Sequence, residues 1–166
     1  PKGVLAHTWT GYLQDVRLGG VSTGEYGLNA LLAGHFGAPV AFASGDEQAI
    51  LQIQALLGAE VVGVVVKEGY STFSAIHLHP DQAQTMIRVG VEQALHKLAK
   101  LEPYRPRFPM AAELEFDHQA RADACSYLPG VKRSGERSVS YRAKDALELF
   151  STFRALMKAS SVSFSP

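Results

Sequence analysis

Residues 39–67 read PVAFASGDEQAILQIQALLGAEVVGVVVK, and this stretch decides the fold. Its first five residues, 39–43, form a short apolar run between chain breakers, which is typical of a buried strand. Asp46 then precedes a run whose apolar residues recur with helical spacing, and Gly58 ends that run. The apolar run 61–67 follows at once. A strand, a helix and a second strand in this order predict two parallel strands joined by a right-handed crossover.

Upstream of this unit the pattern predicts two strands and a helix. The apolar run 4–9 and the run 13–18 are typical of strands joined by a turn, and a Gly-Gly pair marks a second turn at 19–20. A helix is expected over 25–35, because an apolar helical run there ends at a glycine. The N-terminal part of the chain therefore begins with a hairpin and a helix.

Downstream we expect a loop over 68–71, a short strand over 73–78 and a long helix from Pro80 to about Leu98. The apolar residues of that helix keep a helical period, so they are predicted to pack against the sheet. Three prolines in 103–109 indicate an exposed connection. The remaining predicted elements are a strand over 111–116, a helix over 119–127, a turn at 129–130, a strand over 138–141, a helix over 143–159 and a frayed tail.

The order of these elements predicts the fold class. Because strands and helices alternate in the first two thirds of the chain, we expect an α/β fold with a mixed, largely parallel sheet flanked by helices. The later strands and helices predict a C-terminal α+β portion. No internal repeat divides the chain, so residues 1–166 are expected to form a single region.

The composition is that of a folded protein with no excess charge. Of 166 residues, 46% are hydrophobic and 19% are charged, and 16 Lys and Arg balance 16 Asp and Glu. This balance argues against nucleic acid or an anionic membrane as a partner and favours small neutral or zwitterionic substrates. The single cysteine, Cys125, cannot form an internal disulfide, and no apolar run is long enough to span a bilayer. We therefore expect a cytoplasmic protein.

Two side chains near the N-terminus have the chemistry of a site. His7 ends or interrupts an apolar run, and Glu25 stands where a glycine-containing loop becomes a helix. An imidazole can bind Zn²⁺ or transfer protons near neutral pH, and a carboxylate at a helix start can bind a cation. One His and one Glu at this spacing also occur by chance in many chains. The residues alone make the pair a candidate half-site.

The sequence around this pair resembles the DppA-type family of zinc-dependent D-aminopeptidases. The resemblance is carried by GVLAHT at 3–8 and, most specifically, by GEYGLNA at 24–30. It extends over nearly the whole chain through shorter matches at 43–46, 66–67, 114–116, 129–130 and 141–145.

The resemblance implies that Glu25 is a zinc ligand and that His7 is the catalytic histidine, which the family assigns as the nucleophile. It further implies two zinc ions per intact subunit, short peptide substrates with an N-terminal D-residue, and a homo-oligomer in the form of a ring. Four other metal ligands of the family have no counterpart in residues 1–166. We therefore expect a C-terminal region of a metallopeptidase without its N-terminal metal-binding portion, and whether this piece alone is active stays open.

Two further residues are candidates for substrate binding. Lys67 directly follows the apolar run 61–66, and ligands of parallel sheets bind beyond the carboxyl ends of the strands. Its ammonium group would meet a substrate carboxylate or a developing oxyanion, unless it is only a solvated lysine. Asn29 lies one helical turn after Glu25 and would orient that carboxylate by a hydrogen bond. The polarity of a solvent-facing helix surface explains Asn29 equally.

Other polar pairs have simpler explanations. His77 and His79 would face the same way on a strand and chelate a metal, but the sequence His79-Pro80 indicates an element boundary. Glu113 and Glu115 share one face of a strand, which we interpret as a solvated strand edge. Neither pair is assigned to the site.

The sequence thus supports two hypotheses from different classes. The first is a zinc-dependent aminopeptidase that uses His7 and Glu25, with Lys67 and Asn29 in secondary roles. The second is a non-catalytic binding or scaffold module that keeps the fold but holds no metal, because the other family ligands are missing. The zinc content of the purified protein distinguishes them.

Overall fold

Two separate β-sheets and five α-helices build this α/β protein, for which the computed structural model describes residues 3–162. None of the helices in that range is both long and apolar enough to cross a lipid bilayer. In chain order the elements are β1 (Leu13–Leu18), β2 (Val21–Thr23), α1 (Glu25–His35), β3 (Phe42–Asp46), α2 (Glu47–Leu57), β4 (Val62–Ser71), β5 (Ser74–His77), α3 (Pro80–Lys97), a 3₁₀ turn (Leu98–Lys100), β6 (Met110–Phe116), α4 (Gln119–Ser126), β7 (Lys132–Arg133), β8 (Ser138–Ala143) and α5 (Ala146–Ala159).

The chain divides into two units. Unit 1 comprises residues 1–6 and 36–104, and unit 2 comprises residues 7–35 and 105–166. Both units are therefore discontinuous in sequence. Of the predicted frayed tail, residues 163–166 lie outside the described part of the chain. Residues 160–162 are held, because Arg121 Nη1 donates to the carbonyls of Ser160 and Val162.

Unit 2 contains a five-stranded sheet of order β2-β1-β6-β8-β7 in which every neighbouring pair is antiparallel. Residues along β6 and β8 alternate between buried and more exposed positions. Such alternation arises when only one face of a sheet is covered. Leu114 and Val139 on the covered face are fully buried together with Leu28, Leu149 and Phe153 from helices α1 and α5.

Unit 1 contains a three-stranded sheet of order β3-β4-β5, with β3 and β4 parallel and β4 and β5 antiparallel. Helices α2 and α3 both pack against β3 and β4. Helix α2 begins at its cap Asp46, whose carboxylate accepts from the N–H of Ala49 at 2.9 Å and from that of Val4 at 3.2 Å. It ends at Gly58, where φ is +98°. The predicted parallel strand pair with a helix between its strands is therefore confirmed.

The prediction of a largely parallel sheet is wrong, because only β3 and β4 run parallel. The run 61–67 is almost continuously apolar, as expected for a parallel strand, but it indicates only the pairing of β4 with β3. The strands over 110–116 and 138–143 alternate instead, and this pattern belongs to an antiparallel sheet with one solvated face. The α/β assignment and the C-terminal α+β portion agree with the structure.

Several element boundaries also differ from the prediction. The run 4–9 is not a strand, because Leu5 and Trp9 have positive φ angles of 50° and 64°. The strand predicted over 39–43 begins only at Phe42, and the predicted loop 68–71 is the end of strand β4. Local apolar content identified these segments but did not reveal where backbone pairing starts and stops.

Candidate active site

The start of helix α1 is joined to the segment 7–10 by two hydrogen bonds that run in opposite directions. The backbone N–H of Glu25 donates to Thr8 Oγ1 at 2.9 Å. The backbone N–H of Trp9 donates to Glu25 Oε2, also at 2.9 Å. We call Thr8, Trp9 and Glu25 the reciprocal clamp. It connects the predicted metal ligand to the segment that carries the predicted catalytic residue, His7.

Gly24 permits the close approach of the two segments. A Cβ atom at this position would lie 3.2 Å from Thr8 Oγ1 and 3.1 Å from Cε1 of the Tyr26 ring. The first N–H groups of any helix lack partners within the helix, and here the Thr8 hydroxyl satisfies one of them. Thr8 is thus a helix cap supplied by a residue 17 positions away in sequence.

Trp9 is held in a strained conformation by its ring. A φ angle of +64° costs an L-residue roughly 1–2 kcal/mol. The ring packs edge-on against Phe153 and Phe150 of helix α5, with ring centres 5.0 and 6.1 Å away. The Arg154 guanidinium lies 5.4 Å from the ring centre, within cation–π range. Aromatic pairs contribute about 0.5–1.5 kcal/mol each, so these contacts offset the strain.

The side chains of the predicted catalytic pair differ in their exposure. His7 is exposed, and Glu25 is half-buried at the first position of helix α1. An exposed imidazole is accessible to a substrate, while partial burial and the Trp9 N–H restrict the orientation of the carboxylate. Backbone strain such as that at Trp9 is often found at functional sites. These features make the segment 7–10 and the start of α1 the candidate active site.

Glu25 has the chemistry of a zinc ligand. Its Oε2 atom accepts from Trp9, while its Oε1 atom has no hydrogen bond within residues 3–162. A carboxylate with one oxygen held and the other available is suited to binding zinc through a single oxygen. In the part of the chain that the structure describes, no group of three His, Cys, Asp or Glu side chains is placed to hold a metal ion. Glu25 therefore fits zinc as one ligand of a set.

The two predicted substrate-binding residues are placed differently from expectation. Lys67 lies inside strand β4, which continues to Ser71, so it does not follow the carboxyl end of the strand. It belongs to unit 1, whereas His7, Glu25 and Asn29 belong to unit 2. Asn29 is exposed on α1 and makes no hydrogen bond to Glu25, which agrees with a solvent-facing helix position.

The remaining polar pairs are structural. His79 caps helix α3 by accepting from the N–H of Asp81 at 3.3 Å, which confirms the predicted boundary. Glu113 and Glu115 lie on β6 in the middle of the sheet, so their assignment to a strand edge is wrong. They are ion-paired with Arg17 of strand β1, with closest distances of 2.5 and 3.6 Å.

Three pKa shifts have structural causes. The hydrogen bond with Glu113 and the charge of Asp15 raise the pKa of the Arg17 guanidinium. Burial raises the pKa of the Cys125 thiol to about 11. Burial also raises the pKa of Tyr141, whose hydroxyl donates to the Leu149 carbonyl at 2.8 Å. None of these groups belongs to the reciprocal clamp, so the shifts reflect packing and ion pairing.

Sequence reasoning missed Thr8 and Trp9. Thr8 directly follows His7, but a threonine that caps a helix 17 residues away leaves no spacing signature. Trp9 was placed in a strand that does not exist. The usable signal was Gly24, because a glycine immediately before a helix that starts with Glu allows another segment to approach the helix end.

Comparisons with known proteins agree on one family. A sequence profile of a family described as D-aminopeptidase matches residues 1–155. A D-aminopeptidase of Bacillus subtilis (strain 168) is 28% identical over 149 residues, which cover 89% of this chain and 54% of the relative. The chain thus spans about half the length of this curated relative.

A solved structure gives the same result. It is described as the Zn-dependent D-aminopeptidase DppA from Bacillus subtilis, a self-compartmentalizing protease. The TM-score is 0.93 at 26% sequence identity, and the match covers 99% of this chain and 61% of the other.

Proposed function

We propose that this chain, which belongs to the D-aminopeptidase family, contributes part of the active site of a zinc-dependent aminopeptidase. The observation that carries the proposal is the bond from the Trp9 N–H to Glu25 Oε2, which leaves Oε1 of the same carboxylate available. The substrate class is short peptides with an N-terminal D-residue. The names of the matched relative and of the solved structure support this class.

Glu25 would bind zinc through Oε1, and His7 would act at the scissile amide. A bound zinc ion supplies Lewis-acid polarisation of the substrate carbonyl. The exposed imidazole of His7 would attack the amide carbon or transfer a proton, as family resemblance assigns. Asn29, which is exposed on the same helix as Glu25, would have a minor role in substrate binding.

The zinc site would be dinuclear, with two ions per intact subunit. Glu25 alone cannot hold them, and the described residues provide no complete ligand group. The further ligands would come from the part of the family fold that this chain, which spans 54% of its relative, does not include. In this proposal residues 1–166 are the C-terminal region of the metallopeptidase.

We further propose that the intact subunit forms a cytoplasmic homo-oligomeric ring. The solved structure is described as self-compartmentalizing, and this supports the assembly. The single thiol of the chain, Cys125, is buried and unpaired, which suits a reducing compartment. Light scattering on the purified protein would give its mass in solution, and a monomer at micromolar concentration would contradict the ring.

The first test is the zinc content of the intact subunit, which includes the further ligands, and of two matched variants of it. Glu25→Gln keeps the size of the side chain but removes its charge at the first position of α1, and Glu47→Gln makes the same change at the first position of α2. We expect zinc, measured by elemental analysis with the intact mass, to be lost from Glu25→Gln and kept in Glu47→Gln. Equal zinc in both would remove Glu25 from the ligands.

The second test addresses His7. Replacement by Ala should abolish hydrolysis of a short peptide with an N-terminal D-residue while the circular dichroism spectrum stays unchanged. His96, an exposed residue of helix α3, provides the matched control. Unchanged turnover in His7→Ala would reject its catalytic role. Zinc-free protein with no hydrolysis at all would favour a non-catalytic module.

A further inference from the structure

The reciprocal clamp ties both the backbone and the side chain of one residue to the same short segment. In the usual capping box, the two bonds join residues three positions apart within one helix end. Here the partners of Glu25 are 16 and 17 positions away. The carboxylate and the helix end therefore cannot move relative to Thr8 and Trp9 without breaking one of the two bonds.

Trp9, the clamp residue that donates to the Glu25 carboxylate, is itself held in place by packing. The Trp9 ring packs against Phe153, which is fully buried in the core of unit 2, and against Phe150. These contacts keep Trp9 in its left-handed conformation and fix the position of the N–H that reaches Glu25. The clamp is thus connected to the buried core of its unit through helix α5.

We propose that Thr8 and Trp9 are positioning residues that set the direction of the Glu25 carboxylate. The Thr8 hydroxyl acts through the helix backbone, and the Trp9 amide acts on Oε2 directly, so that Oε1 is left available for a ligand. His7 precedes Thr8, so the same clamp sets the position from which its imidazole acts. The zinc readout of this inference rests on the proposed function, whereas its amide-exchange readout does not.

The test uses isosteric variants of one segment. Thr8→Val removes the hydroxyl that accepts from Glu25, and Thr8→Ser retains it. Thr10→Val is the matched control, because Thr10 Oγ1 is buried and has no hydrogen-bond partner within residues 3–162. If Thr8→Val fails to fold, Gly24→Ala replaces it, since the added Cβ would press on Thr8 Oγ1 and leave the clamp residues intact.

The first readout is amide hydrogen exchange in the full chain, resolved by NMR. In Thr8→Val the Glu25 amide should exchange about tenfold faster, the effect of losing one hydrogen bond. The Trp9 amide, whose own acceptor is untouched, should also exchange faster, because the two bonds act together. Thr8→Ser should restore protection, and Thr10→Val should behave as the wild type. An unchanged Trp9 amide in Thr8→Val would overturn the proposal.

The second readout is affinity for Zn²⁺ alone, measured on the intact subunit by competition with a chromophoric chelator. Loss of a residue that orients a metal ligand typically weakens binding by about 10–100-fold, and we expect this loss in Thr8→Val and its rescue in Thr8→Ser. Faster exchange with unchanged zinc affinity would reduce the clamp to a structural role and overturn the inference. Wild-type protein that binds no zinc would contradict the proposed function, and the exchange of the Trp9 amide would then decide the inference.

Discussion

The two units of the chain are built with very different cores. In unit 2 the fully buried large side chains include Phe116, Phe153 and Leu114, none of which exposes as much as 1% of its surface. In unit 1 the most buried apolar residues are small or medium-sized, led by Val61 and Ala94 at 2%. Since hydrophobic stabilisation scales with the apolar area removed from water, unit 2 is expected to be the more stable unit.

Unit 1 also leaves large apolar side chains in solvent. Phe73 and Tyr70, in the hairpin of strands β4 and β5, are 85% and 82% exposed, and Leu95 of α3 is 63% exposed. The predicted packing of the α3 apolar residues is therefore only partly right, because Gly90 and Ala94 alone are buried on that helix. The comparison teaches that similar apolar content can yield a full core in one unit and a sparse one in the other.

The largest effect is expected from breaking the unit 2 core. Phe153→Ala should lower the free energy of unfolding by about 3–5 kcal/mol, because it leaves a cavity among fully buried residues. Phe73→Ala is the matched control in unit 1 and should change stability by less than about 0.5 kcal/mol. Urea unfolding followed by circular dichroism would measure both. Equal losses would contradict the comparison, because they would mean that the Phe73 side chain is as well packed as Phe153.

Thiol labelling compares the opening of the two units directly. Cys125 is fully buried, and its pKa is raised from 9.0 to about 11, so at pH 8 the native thiol is protonated and unreactive. In a Cys125→Ala background, Ala94→Cys places the only thiol in the core of unit 1. We expect it to be labelled about 100-fold faster than native Cys125, equivalent to ~2.7 kcal/mol less protection. Similar rates would mean that the units open together.

The raised pKa of Cys125 also predicts a pH dependence. The unfolded thiol ionises near its ordinary pKa, whereas the folded thiol stays protonated until about pH 11. Its stabilising contribution is therefore complete below about pH 9 and declines as the pH rises from there towards about 11. Cys125→Ala should remove this decline, which unfolding curves between pH 8 and 10 would detect.

At Gly90 in unit 1, the steric cost of an added methyl group should exceed the stability that it gains through helix propensity. A Cβ at Gly90 would lie 2.6 Å from Val64 Cγ2 and 2.8 Å from Phe42 Cε2. Gly90→Ala gains about 1 kcal/mol of helix propensity but incurs roughly 1–3 kcal/mol of overpacking, so we expect a net loss of about 1 kcal/mol. In unit 2, a Cβ added at Gly11 would have no atom within 4 Å, so Gly11→Ala should leave stability nearly unchanged. Thermal unfolding would compare them.

The smallest difference between units is expected at their helix caps, because capping is local. Asp145 caps α5 through the N–H of Glu148 at 2.8 Å, as Asp46 caps α2. Replacing either Asp by Ala should lower the free energy of unfolding by about 1 kcal/mol. The loss should be slightly larger for Asp46, which also accepts from Val4. A much larger loss for one variant in urea titrations would mean that its cap supports more than its own helix.

Local signals explain how much of the fold could be predicted. The bounds of α1 were predicted correctly, because Gly37 ends an apolar helical run that starts at Glu25. The parallel pair β3 and β4 followed from a strand, a helix and a strand in succession. The order of the five-stranded sheet was not accessible, because pairing β1 with β6 joins residues nearly a hundred positions apart, and no local pattern encodes that register.

The site could be predicted only in part for the same reason. Glu25 and His7 were found because a recognisable local sequence surrounds each of them. Their connection through Thr8 and Trp9 depends on a positive φ angle and on a long-range hydrogen bond. Neither feature produces a periodic pattern of residues in the sequence. Lys67 was misplaced because the end of strand β4 was set four residues too early.

One hydrogen bond outside both the core and the candidate active site lies where the chain leaves unit 2 and returns to it. Arg105 Nε donates to the carbonyl of Gly34 at 2.8 Å. The chain therefore leaves unit 2 and returns to it at neighbouring points, and residues 36–104 form an insertion between them. Insertions with adjacent ends can be lengthened, shortened or exchanged without opening the host fold. Every strand and helix of unit 2 thus lies outside the inserted segment, so a change in the length of that segment removes no element from the five-stranded sheet.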